Sequence, residues 1–289
     1  MKKKKIETLV EDIYKVIGSL AEDKPIKISE AEYEEFGKAM SDALRHWATP
    51  SSGARDNIRM SNVGRPLRRL WYELKSPDLN NEKMSSPLFI KFLYGHLLEV
   101  LVLFFTKLAG HEVTDEQKEI KVLGVKGHMD CKIDGQVIDV KSASGYSFKK
   151  FKEGTLGEND SFGYLSQLAG YEYAEKTSKG GFLVMNKETG ELTTFIPDDL
   201  DKPNITTKIK KVKKAIASDT PPELCYEPIP EGSYGNMKLP RDCTYCPFKF
   251  ECHKDANDGQ GLRVFAYAKG NTYFTKVERE PNVEEIKIL

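Results

Sequence analysis

Ile6, Leu9, Val10, Ile13, Val16, Ile17 and Leu20 recur at helical spacing, so the chain opens with a predicted amphipathic helix. Ser29 and Glu32 form a capping-box pattern ahead of Tyr33, Phe36, Met40, Leu44 and Trp47. This predicts a second helix that Pro50 and "SSG" stop. "IRMSNVGRPLRRLWYELKS" then interleaves Arg59, Arg65, Arg68 and Arg69 with Trp71 and Tyr72. After a polar loop around "PDLNNEKMSS", residues 87 to 109 read as a long, largely buried helix containing "YGHLLEVLVLFF". Glu99 is conspicuous in it, because a carboxylate in so apolar a helix needs a cation or hydrogen-bond donors.

Further on, the period shifts to that of strands. "KEIKVLGVKGHMDCKI" and "QVIDVKSA" are β-rich and joined by the tight-turn dipeptide Asp134-Gly135, which predicts a hairpin. A helix around "YLSQLAGYEYAEKT" follows, then strands "GFLVMNK" and "ELTTFIP" about the turn "ETG". The lysine-rich "KIKKVKK" reads as the solvated face of another helix. From residue 221 Pro, Gly, Cys and Tyr predominate, as in an irregular lobe held by something other than a core. "LRVFAYAKGNTYFTKV" then predicts a terminal hairpin turning at Gly270-Asn271. The chain is thus read as α/β in three parts: a helical N-terminal extension over 1–56, a core over 57–220, and a cysteine-rich lobe with terminal hairpin over 221–289. The extension fits a packing arm and a partner surface equally well.

Composition narrows the class of protein. At 289 residues and 39% hydrophobic content the chain can fill a substantial interior. Lys plus Arg and Asp plus Glu both total 44, so any surface for nucleic acid must be local. The basic start "MKKKK" is followed by recurring charges where a signal peptide would have an apolar stretch, and the run near "VLVLFF" is too short for a membrane span. The expectation is a soluble, cytoplasmic protein with no membrane partner. Five cysteines, four of them between 225 and 252, suit a metal site better than disulfides in a reducing compartment.

Asp130, Asp139 and Lys141 carry the candidate chemistry. Mg²⁺ and Mn²⁺ prefer oxygen ligands, and phosphodiester hydrolysis needs a metal to neutralise developing charge and acidify an attacking water. On a hairpin turning at Asp134-Gly135, Asp130 and Asp139 flank the turn at matching distances and can meet on one face. Lys141, two residues past Asp139, emerges on that face, while Val140 points away and leaves its carbonyl as a fourth oxygen. An exposed hairpin carrying an ion pair fits the spacing alone as well; Glu99, a third carboxylate, favours the metal site.

"GHLLE", "GHMD", "IDVK" and "QLAGY", in this order, resemble the PD-(D/E)xK nuclease superfamily, specifically its RecB-like branch of phage exonucleases and CRISPR-adaptation nucleases. The resemblance implies a restriction-endonuclease-like mixed central sheet flanked by helices. It also implies a Mg²⁺- or Mn²⁺-dependent DNA nuclease, in phage-type members an exonuclease acting in DNA processing or recombination. By it, Glu99, Asp130 and Asp139 are metal ligands, with the Val140 carbonyl beside them. Lys141 positions or activates the water, and Gln167 and Tyr171 shape the site. Several relatives place histidine at the position of Glu99, which makes His96 the substitute ligand. His128 is read as structural and Cys131 as core.

Arg65, Arg68 and Arg69 read first as the solvated side of a helix whose core is Leu67, Leu70 and Trp71. The resemblance makes them candidate DNA contacts. Cys225, Cys243, Cys246 and Cys252 supply four thiolates, for which zinc is the generic metal; the C-x2-C-P-F-K-x2-C form resembles the [4Fe–4S] staple of AddB-type and CRISPR-adaptation nucleases. His253 is a reserve ligand. The partner implied is DNA, as single strands or duplex ends, and a homo-oligomer is compatible with it; the compartment is the cytoplasm, of a bacterial host if the gene is phage-borne. The alternative is a DNA-binding or assembly factor that keeps the nuclease fold with little catalysis.

Overall fold

The computed structural model describes residues 4–49, 57–79 and 85–287, so the stop expected at Pro50 and "SSG", and residues 80–84 of the polar loop, lie outside the described residues. The principal helices are α1 (Leu9–Gly18), α2 (Glu30–Ala48), α3 (Leu67–Lys75) and α4 (Ser86–Leu108). Strands β1 (Val113–Thr114), β2 (Lys118–Val122), β3 (Val125–Met129), β4 (Cys131–Ile133) and β5 (Gln136–Ala143) follow. Then come α5 (Gly145–Lys152), α6 (Tyr164–Glu175), β6 (Gly181–Asn186), β7 (Leu192–Phe195) and α7 (Ile205–Ala217). The remainder holds β8 (Ile229–Glu231), β9 (Asn236–Lys238), the single turns α8 (Arg241–Thr244) and α9 (Lys249–Cys252), β10 (Arg263–Tyr267), β11 (Gly270–Lys276) and β12 (Glu285–Ile286).

The described residues fall into two compact units: one of 4–49, 58–64 and 85–210, the other of residue 57 with 65–79 and 211–287. The stretch 57–220 is therefore divided, and α3 belongs with the C-terminal segment.

The first unit is built on a mixed five-stranded sheet of order β1-β4-β5-β6-β7, flanked by helices. Only the β5–β6 pair is parallel, because α5 and α6 form the crossover between them. On one face Cys131, Ile133, Ile138, Val140, Leu183 and Met185 pack with Ile6, Leu9 and Ile13 and with Val102 and Leu103 of α4. The first helix is thus a packing arm. Its partner α2 buries no side chain, yet its capping box closes both ways: Glu32 N donates to Ser29 Oγ at 3.3 Å, and Ser29 N to Glu32 Oε2 at 2.7 Å.

Three sequence expectations need correction. The stretch 118–129 is itself a hairpin: Leu123 and Gly124, with φ of 46° and 84°, turn β2 back on β3. No propensity announces a leucine in that conformation. Helix α4 buries only Val102, Leu103 and Thr106, all in its C-terminal half, while Phe89, Ile90, Phe92 and Tyr94 are exposed. With 23 residues and a mean hydropathy of 1.9 it is long and apolar enough to cross a membrane, by length and composition alone. Here it packs on α1, α2 and β5 and carries Glu99 to the candidate site.

The third correction concerns the second unit. Its segment 221–260 contributes β8 and β9 to a five-stranded sheet of order β12-β10-β11-β9-β8, and so is not wholly irregular. The terminal hairpin pairs Tyr267 with Gly270, so it turns at Ala268 and Lys269, two residues before the expected position. Its small aromatic core joins Trp71, Tyr72, Cys246 and Phe248.

Candidate active site

The hairpin register creates the site. Cys131 pairs with Ile138 across β4 and β5, which sets Asp130 opposite Asp139 one step further from the Asp134-Gly135 turn. Asp130 is fixed by a hydrogen bond from Val140 N to its Oδ2, at 2.8 Å. Side-chain alternation turns Ile138 and Val140 into the core and leaves Asp139 and Lys141 on the face that α5 and α6 cover. Lys141 Nζ stands 2.6 Å from Asp139 Oδ2. Asp139 is fully buried, with Lys141 and the second acid, Asp130, as its polar neighbours.

Burial dominates the electrostatics. It pushes Asp139 up to about 7, with Asp130 adding to the shift and Lys141 opposing it. Asp130 rises to about 6, again through burial first, with Lys141 opposing and Glu99 adding to it. For Lys141 burial alone would lower the pKa; the carboxylates of Asp139 and Asp130 outweigh it and hold the ammonium protonated. Lys141 is therefore a fixed positive charge at neutral pH.

Glu99 reaches the same electrostatic environment from α4. Its pKa is lifted to about 7 by burial, and Asp139 adds to the rise. Gln117 Nε2 donates to its Oε1 at 2.7 Å. Gln117, in the short loop before β2, was not legible in the sequence, since only tertiary packing brings it to α4. Gln167 and Tyr171 lie on one face of α6, four residues apart, and Gln167 Nε2 donates to Tyr171 Oη at 2.6 Å. Both are buried, and the Tyr171 hydroxyl is held well above its ordinary range by burial and by the nearby acids.

A cavity of about 1020 Å³ opens onto this group. Glu99, Asp130, Gln167 and Tyr171 line one part of it, and α2, α4 and the β2–β3 hairpin supply the rest. His96 lines the wall too, but its ring meets His46, edge-on at 5.4 Å, and burial lowers its pKa. His128 is exposed on the rim, and Cys131 is core.

Two motif glycines have a packing cause. Met60 threads between Gly127 of "GHMD" and Gly170 of "QLAGY", and a Cβ at either position would run into its side chain. The Met60 side chain, not chemistry, takes the space that a larger residue would need there.

The arginines and cysteines occupy the second unit. Arg65 and Arg69 both pair with Glu73, at 2.8 and 2.9 Å. Arg68 donates to Cys252 Sγ at 3.3 Å and to the Pro222 carbonyl at 2.5 Å, and its guanidinium lies 5.6 Å from the Tyr72 ring centre. These three side chains thus hold their own unit together. All four cysteines are unpaired thiols. Burial pushes Cys243 up to about 12, with Cys246, Cys225 and Cys252 adding to the shift, so the four sulfurs sense one another. His253 is buried beside them in sequence, its pKa lowered by burial and then by Arg68.

Among the described residues, no three His, Cys, Asp or Glu side chains are arranged to hold a metal ion. The donor chemistry nonetheless fits: carboxylates that raise one another's pKa suit a hard divalent cation, and four thiols that sense one another suit a thiolate-bound metal.

No protein-family model matches the chain, and no curated protein does. Solved structures that it resembles include the crystal structure of SSO0001, at 16% identity and a TM-score of 0.39, covering 76% of this chain and 95% of that one. An alkaline exonuclease, LHK-Exo from Laribacter hongkongensis, aligns at 13% identity and a TM-score of 0.39, over 60% of this chain and 94% of its own. LHK-Exo in complex with dAMP aligns at 14% and 0.38, over 56% and 89%. At such values the functional argument has to stand on the geometry of the site.

Proposed function

We propose that the protein is a divalent-metal-dependent DNA nuclease, acting as an exonuclease, with Asp130, Asp139 and Lys141 as its chemical centre. The observation that carries this reading is Asp139: a fully buried carboxylate facing a second acid, with the Lys141 ammonium at 2.6 Å as its cation. Two acids sharing one cation leave net negative charge, which is costly to bury without a further cation. Asp130, Asp139 and the Val140 carbonyl would hold the cation, with Glu99 completing the set once released from Gln117. When bound, Mg²⁺ or Mn²⁺ supplies charge neutralisation at the phosphoryl oxygens and a more acidic water.

The chain's own residues do the rest. Lys141, permanently charged, orients the water and the phosphate oxygens; it is no general base at neutral pH. The Gln167–Tyr171 hydrogen bond fixes the wall from which a polar group can meet the substrate backbone. In the second unit Cys225, Cys243, Cys246 and Cys252 would hold a [4Fe–4S] cluster, with zinc as the alternative.

The test is digestion of end-labelled single- and double-stranded DNA in Mg²⁺ or Mn²⁺. The wild type should degrade from ends, and Lys141→Ala should lose on the order of 100-fold or more. Equal digestion by both proteins, or none by either with any divalent metal, overturns the assignment.

A further inference from the structure

Beside the acid pair stands a ladder of rings. Lys141 Nζ lies 5.2 Å from the centre of the Tyr164 ring. Tyr164 in turn stacks on Phe162, centroids 5.4 Å apart and planes within 12°. Behind Tyr164 are the buried rings of Phe151 and Phe182, at 5.9 and 6.5 Å. Phe162 itself is 62% exposed. A large apolar ring, exposed at the end of a stack that begins at a catalytic lysine, is the feature that the hydrolytic mechanism leaves unused.

The backbone holds this ring firmly. Asp160 caps the start of α6: its Oδ1 accepts from Gly163 N and Tyr164 N, both at 2.9 Å, and its Oδ2 from Leu165 N at 2.8 Å. Lys150 Nζ donates to the Asn159 carbonyl at 2.9 Å, tying down the approach to the turn. Gly163, with φ of 79°, presses against the backbone of Gly64, where no side chain fits. Phe162 is thus presented to solvent by a rigid turn, which lowers the entropy lost when something packs on it.

We propose that Phe162 is a base-stacking platform that positions the nucleotide next to the scissile phosphate, making an unpaired nucleic-acid strand the form in which substrate enters the site. The proposal rests on the nuclease reading. A nucleobase is the occupant whose chemistry matches, because it presents a π-face to an exposed phenylalanine whose stacked neighbour Tyr164 lies 5.2 Å from the Lys141 ammonium. Stacking tolerates any base, so the platform sets position without setting sequence.

The experiment measures steady-state digestion of single-stranded oligonucleotides, intact and with one abasic site moved stepwise from the cut end. Phe162→Ala should raise KM about tenfold and leave kcat within about twofold. Phe162→Leu, which keeps apolar bulk without a π-face, should behave like Phe162→Ala, and Phe162→Trp should restore the KM. One abasic position should penalise the wild type by a similar factor while adding nothing to Phe162→Ala, a non-additivity that a merely structural residue would not produce. An unchanged KM in Phe162→Ala, or equal abasic penalties in variant and wild type, overturns the platform and leaves the nuclease intact. A wild type that digests no DNA overturns both.

Discussion

Asp139 holds a charge whose native surroundings oppose it. Its pKa of about 7 in the folded chain lies above the ordinary carboxylate value, so the native form binds a proton through the window from about pH 4 to 7 that the unfolded form has released. Its stabilising contribution is complete below about pH 4 and is lost as pH rises through 7. Metal-free wild type should therefore lose stability between pH 5 and pH 8 relative to Asp139→Asn, on top of the pH-independent cost of taking a counter-charge from Lys141. Thermal melts at the two pH values check this; a difference between wild type and variant that does not change between them contradicts it. Mg²⁺ should raise the wild-type melting temperature at pH 8 and leave the variant's nearly unchanged. The acids themselves were legible in the sequence, because a two-residue turn and a period of two fix which side chains meet. Gln117 and Asp160 were not, since loop residues are brought to their partners by packing alone.

At the level of elements, the ambiguity left by the first helix is resolved by burial. Ile6, Leu9 and Ile13 are at most 5% exposed and lie in the main core, and the Tyr14 hydroxyl accepts a hydrogen bond from Leu192 N of β7 at 2.6 Å. Fully burying each such side chain contributes about 1.5–3 kcal/mol, so three of them approach the whole stability of a domain. Deleting residues 1–22 should give an insoluble or unfolded chain by solubility and circular dichroism, whereas a detachable partner arm would leave a folded one. A second anchor joins the same helix to the β4–β5 hairpin. His111, buried, meets Asp134 Oδ2 at 2.6 Å through Nδ1 and Asp12 Oδ2 at 3.1 Å through Nε2. Replacing it with Ala should cost about 2–4 kcal/mol in a denaturant titration, because two partly buried acids lose their partner. Periodicity disclosed the helix, but not the histidine clamp, whose members are separated by the full length of α2 and α4.

On the scale of the whole molecule, the second unit's aromatic core takes in Cys246, with Cys252 packed against it. Anaerobically purified protein should show a broad absorbance in the violet if the ligand is iron–sulfur, and be colourless with bound zinc if it is not. In either case Cys243→Ser should lose the metal by elemental analysis and make residues 221–260 sensitive to protease, since metal binding there is folding energy. Which metal the thiolates would hold was not legible in the sequence, because thiolate spacing serves both. The parallel pairing of β5 with β6 has a further consequence, one of timing. The hairpin with both acids is local and forms from contiguous chain, but its neighbour β6 comes only after α5 and α6 have been made. Non-local parallel pairing is slow. During synthesis the chain thus carries its acids before the wall of Gln167 and Tyr171 exists, and the candidate site is complete only once the crossover has closed.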